Sequence, residues 1–251
     1  MTRDPPGLFN LIFLLTRWDV STMSDPTAEV FSRIYREQAW HSSESVSGWG
    51  SELRNTERII RELPGLLQRL GIRSILDVPC GDFNWMRHVD LDDIRYIGAD
   101  IVEETVRANQ AAYASARRSF VCLDLLKDRL PDVDLILCRD CLFHFSPADV
   151  FRALHNLCRT NAQYVLTTTF TYRSYPRNGD IQTGGWTPIN LEMAPYDLPP
   201  LRALLIEGSH ESITYPEFGT IAQYDRCLGL WEIADLRARL RTLPPGSPGT
   251  E

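Results

Sequence analysis

Hydrophobic positions along the chain follow two patterns, and the change from one to the other comes near Gly71. Before it, apolar residues recur at helical spacing in residues 26–40 and 53–70, which predicts two amphipathic helices. Pro64 lies inside the second of these segments, so we expect the second helix to kink or divide there. A loop rich in serine and glycine, residues 41–52, separates the two helices.

After Gly71, short apolar runs alternate with amphipathic stretches. Seven of these runs are predicted to be strands: RSILDV, RYIGAD, SFVCLD, DLILCR, YVLTTTF, ALLIEG and CLGLWEI. Helical periodicity appears between them, as in EETVRANQAAYASA and PADVFRALHNLCR. Such alternation predicts βαβ units that form a mostly parallel sheet with helices on both faces. The last two runs lack a clear crossover helix, which favours antiparallel pairing for them.

Three segments fall outside this pattern. Residues 172–201 are dense in proline and glycine, and a loop of this length in a compact domain is usually functional or disordered. Its aromatic residues favour a lid or pocket wall over a linker. Residues 1–25 are predicted to be a flexible extension and residues 241–251 a disordered tail. The remainder, 26–240, is expected to form one domain with a helical cap at 26–70 and a pocket loop at 172–201.

Charge and composition narrow the classes of partner. The 251 residues carry a formal net charge of −7, so the basic footprint of a nucleic-acid-binding protein is missing and binding to anionic membranes is disfavoured. The apolar run GLFNLIFLL near the N-terminus is too short to span a bilayer, which takes about 20 apolar residues. We therefore expect a small-molecule partner, no nucleic acid and no membrane, and we leave open whether the chain is a monomer or a homodimer.

The six cysteines are expected to be free thiols. Several lie in apolar runs such as SFVCLDL and DLILCRDCLF, as buried thiols do in a reducing compartment, so a cytoplasmic location is predicted. Cys138 and Cys141 form one CxxC pair, and zinc sites usually need a second pair that this sequence lacks. No metal is expected.

The stretch SILDVPCGDFNWM carries the first candidate chemistry. In an open parallel sheet, ligands bind beyond the carboxyl ends of the strands, near the point where the strand order reverses. Asp77 ends the first predicted strand, and the small residues around Gly81 let the backbone approach a ligand. We also expect a helix to follow this turn, with an N-terminus that attracts a negative group.

Two more acids follow at successive strand ends. Asp100 ends the second predicted strand, where a carboxylate can accept both hydroxyls of a ribose, although it could also cap the helix after it. Asp124 ends the third strand, where the amino group of a base could donate to it, and Asp128 is a nearby rival. Together with Asp77, these acids suit a nucleoside with a short charged tail.

A dinucleotide is the weaker interpretation of this edge. The dinucleotide fingerprint GxGxxG admits a pyrophosphate, whereas the turn here is VPCGDF, with one glycine and an additional acid, Asp82. Asp82 would repel a pyrophosphate but, with Asp77, would attract an ammonium group. The turn therefore fits a ligand that carries a cationic amine and an adenosine, such as S-adenosylmethionine.

The motif DVPCGDF resembles the first motif of class I S-adenosylmethionine-dependent methyltransferases. Pro79 and Phe83 stand where that motif has glycines, and Gly81 keeps the middle one. The segments SVSGWGSELRNT, CGDFNWM, LCRDCLFHFS, LTTTF, RNGDIQTGGWTPINL and LGLWEI resemble more narrowly a group of bacterial methyltransferase-like proteins with a Pro-Cys-Gly-Asp first motif. The resemblance implies a Rossmann-like, doubly wound α/β fold with seven strands in the order 3-2-1-4-5-7-6.

The resemblance also assigns residues to the cofactor S-adenosylmethionine. It places Asp77 and Gly81 at the methionine part and Asp100 at the ribose. Asp124 and Leu125 would lie at the adenine. The predicted cofactor contacts in full are Asp77, Pro79, Cys80, Gly81, Phe83, Asp100, Ile101, Asp124, Leu125 and Arg139.

By the same resemblance, Arg139, Asp140 and His144 would face the transfer site. His144 is the candidate catalytic base, since histidine titrates near neutrality and can take a proton from a hydroxyl or an amine. The alternative is a half-buried histidine at the start of a helix. Asp140 could be the base or could orient His144, and Arg139 could pair with an acid near the cofactor or bind an acidic acceptor.

Aromatic residues are the candidate acceptor contacts, although Trp is more often a core residue. These candidates are Trp49, Trp85, Trp186 and Tyr172. Residues 45–51, with their serines and glycines, could close over the site as a lid or form an ordinary loop.

We therefore predict an S-adenosylmethionine-dependent methyltransferase that acts on a small-molecule or carbohydrate-like acceptor, at oxygen or nitrogen. The alternative is a protein of the same fold that uses the cofactor pocket for non-methylating chemistry or as a binding scaffold, since a fold does not fix a function.

Overall fold

A computed structural model describes residues 26–91, 93–171, 178–207, 212–215, 219–222 and 226–242, with backbone only for 212–215 and 219–222. The predicted extension at 1–25, most of the predicted tail at 241–251, and Tyr172 lie outside the described residues.

The described residues form five α-helices and nine strands. In chain order these are α1 Pro26–Glu37, α2 Leu53–Leu70, β1 Ser74–Asp77, β2 Arg95–Asp100, α3 Glu103–Tyr113, β3 Arg118–Cys122, β4 Leu135–Cys138, α4 Pro147–Leu157, β5 Tyr164–Phe170, β6 Ala203–Ile206, β7 Ser212–Tyr215, β8 Gly219–Ala222, β9 Arg226–Glu232 and α5 Ile233–Leu240.

Seven strands form the main sheet in the order β3-β2-β1-β4-β5-β9-β6. Strands β1 to β5 pair in parallel, and β9 is antiparallel to both β5 and β6. The predicted α/β fold and the order 3-2-1-4-5-7-6 are therefore confirmed, with β9 as the seventh strand of this sheet. The antiparallel pairing of the last two predicted strands is also confirmed.

A separate hairpin of β7 and β8 was not predicted. Each of its strands has only four residues, SITY and GTIA, which is too short for an alternating pattern to stand out.

Alternation along the strands divides the core between the two faces of the sheet. Ile75 and Leu135 belong to one hydrophobic cluster, whereas their neighbours Leu76 and Ile136 belong to the other. Helix α2 contributes buried residues to the first cluster, and α4 and α5 contribute to the second. Helix α2 is therefore part of the layer that covers the sheet, which leaves α1 and the loop after it beside the carboxyl ends of the strands.

Both N-terminal helices depart in detail from the sequence pattern. Helix α1 ends at Glu37 because Gln38 takes a left-handed backbone conformation with a φ of 49°. Helix α2 runs as one element through Pro64 and ends at Leu70, because the following Gly71 takes a left-handed conformation with a φ of 67°. Pro64 therefore does not divide the helix as the sequence had indicated.

No α-helix follows the turn at Gly81 among the described residues, contrary to the prediction. A loop with a 3₁₀ turn at Met86–His88 connects β1 to β2 instead. The carboxylate of Asp82 accepts a hydrogen bond from the Asn84 amide at 3.2 Å, and such local side-chain bonds compete with helix formation. No helix of the described residues is long and apolar enough to cross a membrane.

Candidate active site

A cavity of about 260 Å³ lies beyond the carboxyl ends of β1, β2 and β4, where the strand order reverses. Most of the predicted site residues line it. These are Trp49, Asp77, Pro79, Cys80, Gly81, Trp85, Asp100, Ile101, Asp124, Leu125, Arg139, Asp140, His144 and Trp186. Parallel pairing places the ends of neighbouring strands at one edge, so the fold brings together residues that are far apart in the chain.

Asp77 lines the cavity and is held by the hydroxyl of Tyr96, which donates a hydrogen bond of 2.6 Å to its carboxylate. The side chain is buried, and this burial raises the pKa of Asp77 from 3.8 to about 7, against the opposing effects of the Tyr96 hydrogen bond and Arg139. A cationic ligand group beside Asp77 would favour its ionised form.

Asp100 accepts two backbone hydrogen bonds, from Gly81 at 3.0 Å and from Val102 at 2.9 Å. The second bond reaches Val102, the residue before α3, but the start of that helix has no side-chain cap, so the alternative capping role for Asp100 is not seen. Burial raises the pKa of Asp100 to about 6, although these N–H donors act in the opposite direction. A carboxylate has about four lone-pair sites, so acceptor capacity remains for the two hydroxyls of a ribose.

Asp124 is also buried, and its carboxylate accepts a hydrogen bond of 2.7 Å from the Leu126 amide. Lys127 lies 3.4 Å from the same carboxylate. The rival Asp128 instead accepts the backbone N–H of Asp124 at 2.8 Å and is not part of the cavity lining. The structure thus places Asp124, rather than Asp128, at the cavity.

Asp82 does not line the cavity, in contrast to its expected role beside a ligand amine. Its carboxylate accepts hydrogen bonds from the hydroxyl of Ser45 at 2.8 Å, the amide of Val46 at 3.0 Å and the hydroxyl of Ser47 at 3.2 Å. The neighbouring Gly81 has a φ of 54°, and a Cβ there would lie 2.2 Å from the Ser47 hydroxyl. Glycine is therefore required at position 81 because Ser47 of the same chain packs against it.

Phe83 is the one predicted cofactor contact that the structure does not bring to the cavity. Its ring is fully buried at 5.2 Å from the ring centres of Tyr96 and Tyr113 and 5.3 Å from that of Phe120. The guanidinium of Arg118 lies 4.8 Å from the same ring. A large residue fits here because this position of the turn faces the core.

The ring of His144 is oriented by two contacts. Its Nδ1 lies 2.7 Å from the carbonyl oxygen of Gly185, and the ring stacks on Trp40 with 5.4 Å between centres. A carbonyl only accepts, so Nδ1 carries the proton in this bond and Nε2 presents a lone pair when the ring is neutral. Burial lowers the pKa of His144, while the Gly185 bond and Asp140 act to raise it, so the neutral form is favoured near pH 7.

A buried charge cluster, formed by Arg139, Asp140, Glu207 and Arg226, lies beside these groups. The two guanidiniums each approach Glu207 at 2.8 Å, and they approach the Asp140 carboxylate at 3.2 and 2.9 Å. Burial alone would raise the pKa of Asp140, but both arginines lower it below its ordinary value. Asp140 is therefore a weak proton acceptor, and its carboxylate is suited to orienting the arginines.

Sequence reasoning missed Glu207 and Arg226, which gave no signal because each stands alone beside an apolar strand. It also missed the aromatic residues that complete the wall around His144. These are Phe31, Tyr35, Trp40, Phe143, Phe145 and Phe170. The amphipathic pattern of α1 could have indicated Phe31 and Tyr35, since the apolar face of a helix that does not pack on the sheet must be buried against another part of the protein.

A sequence comparison with protein families matched residues 75–162 to a family described as "Methyltransferase domain". The match spans β1 to the connection before β5, and thus contains all three strand-end acids. No curated protein matched the chain.

Solved structures share the fold at low sequence identity. An S-adenosylmethionine-dependent methyltransferase from Anabaena variabilis has a TM-score of 0.55 and 13% identity, with 82% of this chain and 95% of that chain covered. Phosphoethanolamine N-methyltransferase 1 from Haemonchus contortus has a TM-score of 0.53 and 13% identity, covering 88% of this chain and 54% of that one.

Human N-acetylserotonin methyltransferase, solved with S-adenosylmethionine, has a TM-score of 0.52 and 14% identity, and the alignment covers 82% of this chain and 59% of that one. The chain thus spans little more than half the length of the human and Haemonchus proteins. The chain thus contains a segment similar to the methyltransferase domain family, and it shares its seven-stranded fold with a solved S-adenosylmethionine-dependent methyltransferase.

Proposed function

We propose that the protein transfers the methyl group of S-adenosylmethionine to an oxygen or nitrogen of a small-molecule or carbohydrate-like acceptor. One observation carries this proposal: the carboxylates of Asp77, Asp100 and Asp124 line the same cavity as the oriented imidazole of His144. Three acceptors for a cation, hydroxyls and an amino group thus lie beside one candidate base.

The donor set suits the cofactor. S-adenosylmethionine supplies a methyl group on a positively charged sulfur. In our proposal Asp77 and the Gly81 turn hold the methionine part, Asp100 accepts the ribose hydroxyls, and Asp124 with Leu125 borders the adenine. The carboxylates of the buried charge cluster offset its arginines, so the three strand-end acids keep a negative potential for a cationic ligand.

In this proposal His144 accepts the proton that the acceptor group loses. Gly185 fixes the Nδ1 proton, so the Nε2 lone pair is the basic site of the ring. The lowered pKa of His144 keeps that lone pair free at neutral pH. Methyl transfer needs in-line placement and exclusion of water, and the buried walls of the cavity serve both needs.

The acceptor half of the cavity is mostly aromatic. Phe143 and Phe170 each pack edge-on against Trp186, with ring centres 6.1 and 6.2 Å apart. Phe31 packs similarly against Phe145 at 5.9 Å. Such a wall suits a planar ring or the apolar face of a sugar. Two fold neighbours are named for small-molecule acceptors, which is the class we propose here.

Calorimetric titration with S-adenosylmethionine and S-adenosylhomocysteine tests the first half of the proposal. We expect micromolar binding of at least one of them by the wild-type protein. A panel of phenols, amines and sugars, assayed for S-adenosylhomocysteine formation, then tests the second half. Binding without transfer to any acceptor would favour the alternative of a non-methylating or scaffold protein, and absence of binding would refute the proposal.

We further propose a cytoplasmic location, because all six cysteines are free thiols and most of them are buried.

A further inference from the structure

One continuous segment of the N-terminal region forms a wall of the cavity. Residues 46–51 all line it, and we refer to residues 44–51 as the strap. The strap contacts the turn after β1 directly, since the Ser47 hydroxyl occupies the space that a side chain on Gly81 would need. Its position therefore depends on what fastens it to the parallel-sheet domain.

Asp82 is the first fastening. Its carboxylate accepts bonds from the Ser45 hydroxyl, the Val46 amide and the Ser47 hydroxyl, and its own amide donates to the Ser47 hydroxyl at 2.8 Å. Three successive strap residues thus converge on one carboxylate. Hydrogen bonds to an ionised acceptor are among the strongest in proteins.

Asn84 is the second fastening. Its side-chain amide donates to the Glu44 carboxylate at 2.7 Å and to the Ser51 carbonyl at 3.0 Å. Glu44 in turn accepts the Leu53 amide at 2.8 Å, at the first residue of α2. Asn84 therefore joins the two ends of the strap.

The buried charge cluster is the third fastening. The carbonyl of Gly50 accepts bonds from Arg139 at 2.7 Å and from Arg226 at 3.3 Å. A Cβ at Gly50 would lie 2.4 Å from an Asp140 carboxylate oxygen, so only glycine permits this approach. The strap thus spans the cavity from the cofactor turn to the charged side.

We propose that the strap closes over bound cofactor, that it must loosen for cofactor exchange, and that Asp82 is the residue that positions it. This proposal rests on the proposed function for the identity of the ligand, but the fastening of the strap does not depend on it. Asp82 is accordingly a positioning residue: it acts through the strap and not through contact with the cofactor.

The kinetics of S-adenosylhomocysteine binding test this role. An Asp82→Asn variant keeps an acceptor oxygen but loses the charge that draws three donors together. Opening of the strap should then become more frequent, so both the association and the dissociation rate should rise. We expect a dissociation rate at least about tenfold faster, the size of effect that one charge-assisted hydrogen bond produces. Tryptophan fluorescence in stopped flow follows both rates, since Trp49 and Trp85 line the cavity.

Two further variants separate this role from damage to the fold. Ser45→Ala loosens the same fastening from the strap side and should shift both rates in the same direction. Asp93→Asn removes one charge at an exposed position and should leave both rates at the wild-type value. General damage would lower the association rate and the thermal midpoint together. Rates within twofold of wild type in both Asp82→Asn and Ser45→Ala would overturn the proposal.

Amide hydrogen exchange on the ligand-free protein gives an independent readout. Exchange at residues 45–51 should be faster in Asp82→Asn than in the wild type or in Asp93→Asn, while exchange in β1 and β4 stays unchanged. If wild-type protein bound no S-adenosylhomocysteine, the proposed function would fail, and unchanged exchange at 45–51 would then separately refute the fastening by Asp82.

Discussion

The buried carboxyl of Asp77 gives a sharp prediction about stability and pH. Its pKa is raised from 3.8 to about 7 in the folded protein, chiefly by burial. Between these values the folded chain holds a proton that the unfolded chain has released, so the free energy of unfolding falls as pH rises through this range. Above it, the folded protein contains a buried carboxylate that the unfolded chain would expose to water.

The magnitude follows from the pKa. At about 1.4 kcal/mol per pH unit, a rise from 3.8 to about 7 corresponds to roughly 4 kcal/mol of stability lost between the two ends of the range. Asp77→Asn removes this titration, and the amide oxygen can still accept the Tyr96 hydroxyl that now lies at 2.6 Å. We expect the variant to be more stable than the wild type by up to about 4 kcal/mol at pH 8 and by roughly 1.6 kcal/mol at pH 5, with the two proteins converging only below about pH 4.

Urea unfolding of the ligand-free proteins at several values between about pH 5 and pH 8 measures this difference. Asp132→Asn, at an exposed position, controls for the loss of one charge. Asp100 also titrates in this range; it is present in all three proteins, and its charge is one of the causes that raise the pKa of Asp77. A stability difference between Asp77→Asn and wild type that does not change with pH, or that favours the wild type at pH 8, would refute the reasoning.

Three further predictions concern individual residues of the site. Asp100→Ala should weaken cofactor binding by well over tenfold, and Asp100→Asn should weaken it less, since the amide oxygen can still accept a hydrogen bond. Calorimetry on the wild type should show that cofactor affinity falls below about pH 6, where the Asp100 carboxyl gains a proton. His144→Ala should lower kcat and leave cofactor affinity intact. Because the pKa of His144 lies below 6.5, kcat of the wild type should fall at acidic pH as the ring gains a proton, and this fall should be absent from the variant. Full activity of the variant would exclude His144 as the base. Phe83→Ala should cost about 3–5 kcal/mol in urea unfolding but leave cofactor affinity within a few-fold, whereas a large loss of affinity in the folded variant would place Phe83 at the ligand.

The local pattern of apolar and acidic residues was sufficient to predict the strands of the sheet and the acids at their carboxyl ends. The seven apolar runs each became a strand of the main sheet, because burial on both faces demands such runs wherever a parallel strand lies. Asp77, Asp100 and Asp124 could be placed at one edge because parallel strands in one sheet share the side at which they end. His144, which follows β4 closely, was expected near them from the family resemblance.

Local pattern failed where side chains bond to the backbone or reach distant parts of the chain. In place of the helix expected after Gly81, the Asp82 carboxylate accepts the backbone N–H of Asn84, and the Asn84 side chain donates to the distant carbonyl of Ser51. The role expected for Asp82 at a ligand amine was displaced by Ser45 and Ser47, which are 37 and 35 positions away in the chain.

The sequence by itself thus determined the strands and the acids at their ends, since the burial pattern of a strand lies within a short segment, whereas the strand order was expected only from the resemblance to a known family. Only the tertiary structure decided that Phe83 faces the core and that the strap fastens to Asp82. It also decided that Glu207 joins Arg139 and Arg226 beside the cavity. Each of these outcomes depends on contacts between side chains that are far apart in the sequence, and the packing of the helices, strands and loops in the fold decides which of these contacts form.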